Sequence, residues 1–177
     1  MQLEKTSWYA MRATYRREAL AKQLLDECSI ENFIPMRYEV RIVGGRKVRN
    51  LVPAVRNLIF VHTTPSQCRV IKSKAPYLQY IVDSSSGNKI IVPDDQMRRF
   101  IAVAGTYDDH LLWFAPEEVN LSKGTKVRIT GGCFEGQEGI FIKVKGARDR
   151  RVVIAIQGVV VVAMATIHPD LIEPVED

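Results

Sequence analysis

Cysteine, histidine and tryptophan are scarce in this 177-residue chain, and none of its apolar stretches is long. Cys28, Cys68 and Cys133 are odd in number and far apart, which argues against a disulfide framework and against a metal knuckle. His62, His110 and His168 are equally dispersed, and no nucleophile motif accompanies them. Asp108-Asp109-His110 is a tight titratable cluster that a turn explains. The expectation is a binding protein rather than an enzyme, working without metal or cofactor. The longest apolar run, residues 159–165, falls far short of the ~20 residues a membrane span needs and reads as a buried strand. Residues 1–7 are polar and carry no signal-peptide hydrophobic region, so a cytoplasmic protein with no membrane partner is expected.

What is present is ordinary folded-protein composition, 46% hydrophobic and 25% charged. The length suits one domain or two small ones. The net charge of +5 is unevenly spread: residues 1–110 hold 17 Lys/Arg against 11 Asp/Glu, and residues 111–177 hold 8 against 9. The basic excess therefore belongs to the first part, where counterion release would reward contact with a polyanion. A solvated basic face explains the same excess equally well.

Residues 7–13 form an aromatic, partly alternating run that suits an opening strand. Thr14 is placed to cap a helix over 15–30, with Leu20, Leu24 and Cys28 on one face. Residues 33–43 alternate as a strand, and Gly44-Gly45 turns the chain into the basic stretch 46–49, giving a long hairpin with a positive tip. Residues 57–62 read as a buried strand. Thr64-Pro65 opens a short helix, 77–82 and 89–92 are extended, and Asp94 begins a third helix that Gly105 closes. This order predicts an α+β first domain, an antiparallel sheet flanked by helices, over 1–105. Residues 106–121 lack periodicity and are expected as a linker, although Leu111, Leu112, Trp113 and Phe114 are apolar enough to dock on a domain. Over 122–177 several short strands with tight turns predict a small all-β barrel.

The segment 123–144 is the most informative. Glycines 124, 131, 132, 136 and 139 punctuate two strands and permit φ > 0 between them. It is not a phosphate-binding loop, because Gln137 stands where the lysine should be. The segment resembles the KOW motif, with Gly132, Phe134, Gly136 and Gly139 in the turn, on an SH3-like barrel. Upstream, Trp8-Tyr9, Phe33-Ile34-Pro35, the basic hairpin, Pro53 through Phe60-Val61, and Val92-Pro93 follow the order of the N-terminal (NGN) domain of NusG-like transcription factors. The resemblance runs from about Trp8 to Pro174 and covers both domains.

That resemblance implies a bacterial transcription elongation and antitermination factor. Its first domain would bind the clamp helices of RNA polymerase through Pro35, Val55, Leu58 and Phe60. It would bind the exposed non-template DNA strand through Arg69, Lys72, Ser73 and Lys74. The KOW domain would engage a ribosome or another factor, and the protein would act as a monomer. Where the family has Pro-Gly-Tyr before the Phe-Val strand, this chain has Arg56-Asn57-Leu58. The exchange points to a specialised paralogue, of the (UpxY-like) type that serves capsular-polysaccharide operons. The alternatives are a housekeeping NusG and a ribosome-associated RNA-binding protein bearing a KOW domain. For 46–49 the preferred reading is a charged tip that discourages edge aggregation.

Overall fold

The computed structural model describes residues 3–176. Residues 1, 2 and 177, at the outer ends of the stretches expected as first and last domains, lie outside them. The chain divides into two compact units, Met1–Met97 and Arg98–Asp177. Both are built on antiparallel sheets, so the expected α+β first part and all-β second part are present.

In the first unit the sheet runs β2 (Glu31–Phe33), β5 (Leu58–Thr63), β1 (Ser7–Ala13), β6 (Leu78–Tyr80), and β7 (Ile91–Val92) also pairs with β1. β1 and β5 pair from Ser7↔Thr63 to Arg12↔Leu58. Side chains alternate across a strand. One face of this pair, carrying Tyr9, Met11, Ala13, Ile59 and Val61, therefore clusters with Ala21 and Leu25 of α1 (Glu18–Glu27) and with Cys68 and Ile71 of α2 (Pro65–Lys74). Fully burying a side chain such as Leu25 or Ile59 contributes about 1.5–3 kcal/mol. Thr64 caps α2 by accepting from the Gln67 amide at 3.3 Å, with Pro65 at the first helical position. α3 (Asp94–Ala104) ends at Gly105, whose amide donates to the Ile101 carbonyl at 2.8 Å. The division between the units falls inside this helix.

Two local expectations change. The helix expected from residue 15 begins at Glu18, because Tyr15 and Arg16 take left-handed φ values of 58° and 56°. Thr14 caps nothing: its hydroxyl and its amide both donate to the Tyr77 carbonyl, at 3.2 and 3.1 Å. The strand expected over 33–43 is broken at Ile34-Pro35 into β2 and β3 (Met36–Val43). Proline has no N–H for a ladder, and the chain leaves the main sheet there. β3 pairs along its whole length with β4 (Arg46–Pro53) as a separate two-stranded sheet, turning at Gly44 (φ 56°) and Gly45 (φ 75°).

The second unit is a six-stranded antiparallel sheet in the order β13 (Ile172–Pro174), β9 (Thr125–Ile129), β10 (Glu138–Lys143), β11 (Arg150–Ile156), β12 (Val160–Ala163), β8 (Leu112–Phe114). Val119, Ile142, Val144, Val153, Val161 and Ala163 form its core cluster. β8 comes from the segment expected as a linker. Leu112, Trp113 and Phe114 pair with Ala163, Val162 and Val161, so apolar residues that could not remain solvated supply an edge strand. Phe100 meets Trp113 edge-on at 6.1 Å.

Candidate functional site

The end of β1 and the turn after α2 are joined by Thr14, whose two bonds to the Tyr77 carbonyl bring the 15–17 loop beside Tyr77. The loop they create is backbone-constrained. Asn57, itself at φ 63°, accepts from the Arg16 amide through its side chain at 2.8 Å and from the Ala13 amide through its carbonyl at 2.7 Å. Its own amide donates to the carboxylate of Glu18, a buried acid on the first turn of α1. Left-handed conformations cost a non-glycine residue roughly 1–2 kcal/mol each, and this network holds three of them in place.

The loop presents aromatic and cationic groups together. Tyr15 is 84% exposed. The Arg17 guanidinium lies between two rings, 5.4 Å from the centre of Tyr15 and 5.3 Å from that of Tyr77. Nearby on the same unit, Lys72 and Lys89 both place their ammonium groups 4.2 Å from the Tyr80 ring centre. Burial, with a contribution from Cys68, pushes the Tyr80 phenol far above its ordinary range, so it stays neutral between the lysines. Tyr80 in turn packs against Tyr9, ring centres 5.7 Å apart.

Of the four residues expected to face nucleic acid, Lys74 is exposed at the end of α2, and Lys72 is half-buried against Tyr80. The Ser73 hydroxyl donates to the Val70 carbonyl at 2.6 Å and is engaged in its own helix. Arg69 is exposed one turn earlier, where its charge helps hold the Glu4 carboxyl below its usual range, after the larger effect of hydrogen bonds from Ser66. Tyr15, Arg17, Tyr77 and Lys89 were not expected there. The run Tyr-Arg-Arg at 15–17 was the available signal, but a helical reading of those residues hid it.

The four expected polymerase contacts lie at the β2–β3 break (Pro35), in the turn before β5 (Val55) and on β5 itself (Leu58 and Phe60). The Ala54 amide donates to the Pro35 carbonyl at 2.8 Å, setting Val55 beside the β2–β3 break. Leu58 and Phe60 lie on the β5 face turned away from α1 and α2, an alternation they share with Trp8, Ala10 and His62 through the register of β1 and β5. Pro35, Leu58 and Phe60 are buried and Val55 is half-buried. Trp8 and His62 stack on this face with ring centres 4.8 Å apart, and Glu31 holds His62 at 2.7 Å.

The glycine turn sits in the second unit between β9 and β10. Gly132 (φ 84°) and Gly136 (φ 83°) occupy conformations that favour glycine, and the Gly136 amide donates to the Ile129 carbonyl at 2.8 Å. Gly139 is required for a different reason: a Cβ there would stand 2.6 Å from the Val153 carbonyl oxygen. Phe134 is half-buried. Next to this turn, Glu138 bonds Arg128 at 2.7 Å and lies 3.4 Å from Arg99. Among the described residues no group of three or more His, Cys, Asp or Glu is placed to hold a metal, and no helix is long and apolar enough to cross a membrane.

The family model described as transcription termination factor nusG matches residues 6–101. No curated protein matches the chain. Among solved structures, one described as "Domain interaction in Thermotoga maritima NusG" is 23% identical, covers 97% of this chain and 98% of that one, and gives a TM-score of 0.49.

Proposed function

The chain belongs to the NusG family of transcription factors, whose model matches more than half of it, and from that premise we propose that it travels with RNA polymerase and holds the exposed non-template DNA strand. NusG-type factors act in transcription elongation and termination through RNA polymerase. In this reading the strand is held by the Thr14–Tyr77 latch and the groups around it. Arg17, Lys72 and Lys74 contact phosphates, which positions the domain, and the exposed Tyr15 ring offers a stacking surface to an unpaired base. The observation that carries the reading is the placement of Arg17 between Tyr15 and Tyr77, a cation set among aromatic faces on the basic unit of the chain.

The polymerase clamp helices are assigned to the region around Pro35, Val55, Leu58 and Phe60. The glycine turn and Phe134 belong to a KOW module, over 122–177, that engages a ribosome or a second factor. Replacement of the family's Pro-Gly-Tyr by Arg56-Asn57-Leu58 favours an operon-specific antiterminator that acts as a monomer, by binding alone.

Retention of the purified chain on core RNA polymerase and on ribosomal subunits separates the polymerase reading from a ribosomal one. Binding to polymerase is expected, and recovery with ribosomal subunits alone refutes the proposal. Val55→Asp, at a half-buried turn position, is expected to weaken polymerase retention at least tenfold with an unchanged melting temperature. Read-through of a terminator by cognate polymerase then tests antitermination, and a template lacking the native leader tests operon specificity.

A further inference from the structure

The charge of the second unit is polarised in a way that its sum conceals. Residues 111–177 hold 8 Lys/Arg against 9 Asp/Glu, yet residues 143–151 alone hold five Lys/Arg and one Asp. The remainder of that stretch holds three and eight. The basic group lies where β10 turns into β11, and Lys143, Lys145, Arg148 and Arg150 are all exposed. Among the described residues no ion pair joins any of these to an acid. Arg151 is set apart from them, half-buried and donating to the Met164 carbonyl at 3.2 Å.

The fold holds this tip in place at a cost. Val144 and Ala147 anchor the turn by packing in the core cluster, and the Ala147 amide donates to the Val144 carbonyl at 3.4 Å. The Lys143 ammonium donates to the Arg148 carbonyl across the turn. In the ladder Lys143 stands directly opposite Arg150. Like charges in that relation destabilise a strand pair. Nor do these cations guard a sheet edge against aggregation, because β10 is paired on both sides by β9 and β11, and β11 by β10 and β12. The glycine turn with Phe134 lies at the other end of β10, about 17 Å away along the strand, so the tip is a separate feature of the unit.

We infer that the β10–β11 tip is a backbone-binding site for double-stranded nucleic acid, where Lys145, Arg148 and Arg150 neutralise phosphates without reading sequence. A cluster of cations that repel one another is relieved by a polyanion, and neutralising phosphates releases condensed counterions. Residues 143–151 include no aromatic ring on which a base could stack and no Asn or Gln to read one. Contact through charge alone favours a duplex, which carries twice the phosphate density of either of its strands. A protein partner is disfavoured because such interfaces have an apolar core and are depleted in lysine, whereas the apolar residues of this tip, Val144 and Ala147, are spent on the unit's own core. The same lack of an exposed apolar anchor disfavours a lipid surface. The inference uses none of the residues assigned to polymerase or to the non-template strand.

Fluorescence anisotropy of the full-length chain with labelled DNA and RNA duplexes, over a salt series, tests this. Lys145→Gln/Arg148→Gln/Arg150→Gln is expected to lower duplex affinity roughly tenfold or more and to reduce the log–log salt slope by about 2–3, since each lost phosphate contact removes about 0.9. Lys143 is kept because it bonds the turn. Lys145→Arg/Arg148→Lys/Arg150→Lys retains the charge and should retain both affinity and slope. Asp149→Asn removes the acid of the tip and should tighten binding. The glutamine variant should melt no lower than wild type, because the opposed Lys143–Arg150 pair is relieved. A loss on one duplex alone names DNA or RNA as the source of the phosphates. The inference is overturned if the wild-type chain binds neither duplex at low salt, or if the glutamine variant leaves affinity and slope unchanged. It is overturned too if the charge-retaining variant loses as much as the glutamine variant. Tip-dependent binding to phosphatidylserine vesicles, with duplex binding independent of the tip, would assign the site to lipid and refute it. Because Tyr15 and Arg17 are untouched, the single-strand reading stands or fails on variants of those residues, whatever the tip does.

Discussion

The Asn57 backbone amide donates to the Glu18 carboxylate at 2.5 Å, across 39 positions of sequence. Glu18 is buried at the start of α1, and Asn57 sits in a left-handed turn just before β5. The bond ties the helix start to the strand entry. Through the other bonds of Asn57 it also holds the Arg16 backbone that displays Tyr15.

Glu18→Ala leaves the Asn57 amide without this acceptor in a part-buried site, which costs about 1–3 kcal/mol. Glu18→Gln keeps an acceptor and is expected to lose less. Urea denaturation of the two variants checks the order. Equal stability of Ala, Gln and wild type would remove the bond from any account of the loop.

Tyr15→Ala is expected to reduce single-stranded DNA affinity by about 1–3 kcal/mol, the usual worth of one base–aromatic stack. Its ring is largely exposed, so the melting temperature should hardly move. Anisotropy with a short labelled strand reads the first effect and thermal melting the second.

Substitutions in the glycine turn separate two kinds of requirement. Gly139→Ala drives a methyl into the Val153 carbonyl and the Val152 side chain, and should destabilise the second unit by about 1–3 kcal/mol. Gly132→Ala meets nothing within 4 Å and suffers only its left-handed φ, about 1–2 kcal/mol. Melting curves should place Gly139→Ala below Gly132→Ala, and the reverse order would contradict the close approach of β10 to β11.

Acid should weaken the second unit through Glu138. Its hydrogen bond with Arg128, assisted by the charges of Arg99 and Lys126, holds the carboxyl below the ordinary glutamate value. A depressed native pKa stabilises above the unfolded value, near 4.3, and that stabilisation fades as pH falls through the native value. Wild type should therefore exceed Glu138→Gln in melting temperature at neutral pH, and the difference should shrink below about pH 4. A constant difference across that range would show the pair to be silent.

Much of this organisation was legible along the chain because it rests on local patterns. The short apolar run of β5, the Thr64-Pro65 helix start and the Gly44-Gly45 turn each depend on neighbours within a few positions. The 15–17 loop was not legible. Its left-handed backbone is imposed by Asn57 and Glu18, and local propensity favours continuing the helix. β8 was missed for a related reason: three apolar residues lack periodicity until β12 gives them a ladder.

The scarcity of cysteine and histidine, the basic first half, the glycine spacing of 123–144 and the order of the Trp-Tyr, Phe-x-Pro and Phe-Val strands were settled by sequence alone, since each is a property of residue type and spacing. The tertiary structure decided which residues meet. It put Arg17 between two tyrosines through a latch from Thr14 to Tyr77, and it buried Leu58 and Phe60 in the sheet. Those outcomes depend on contacts between residues tens of positions apart, and no local pattern encodes them.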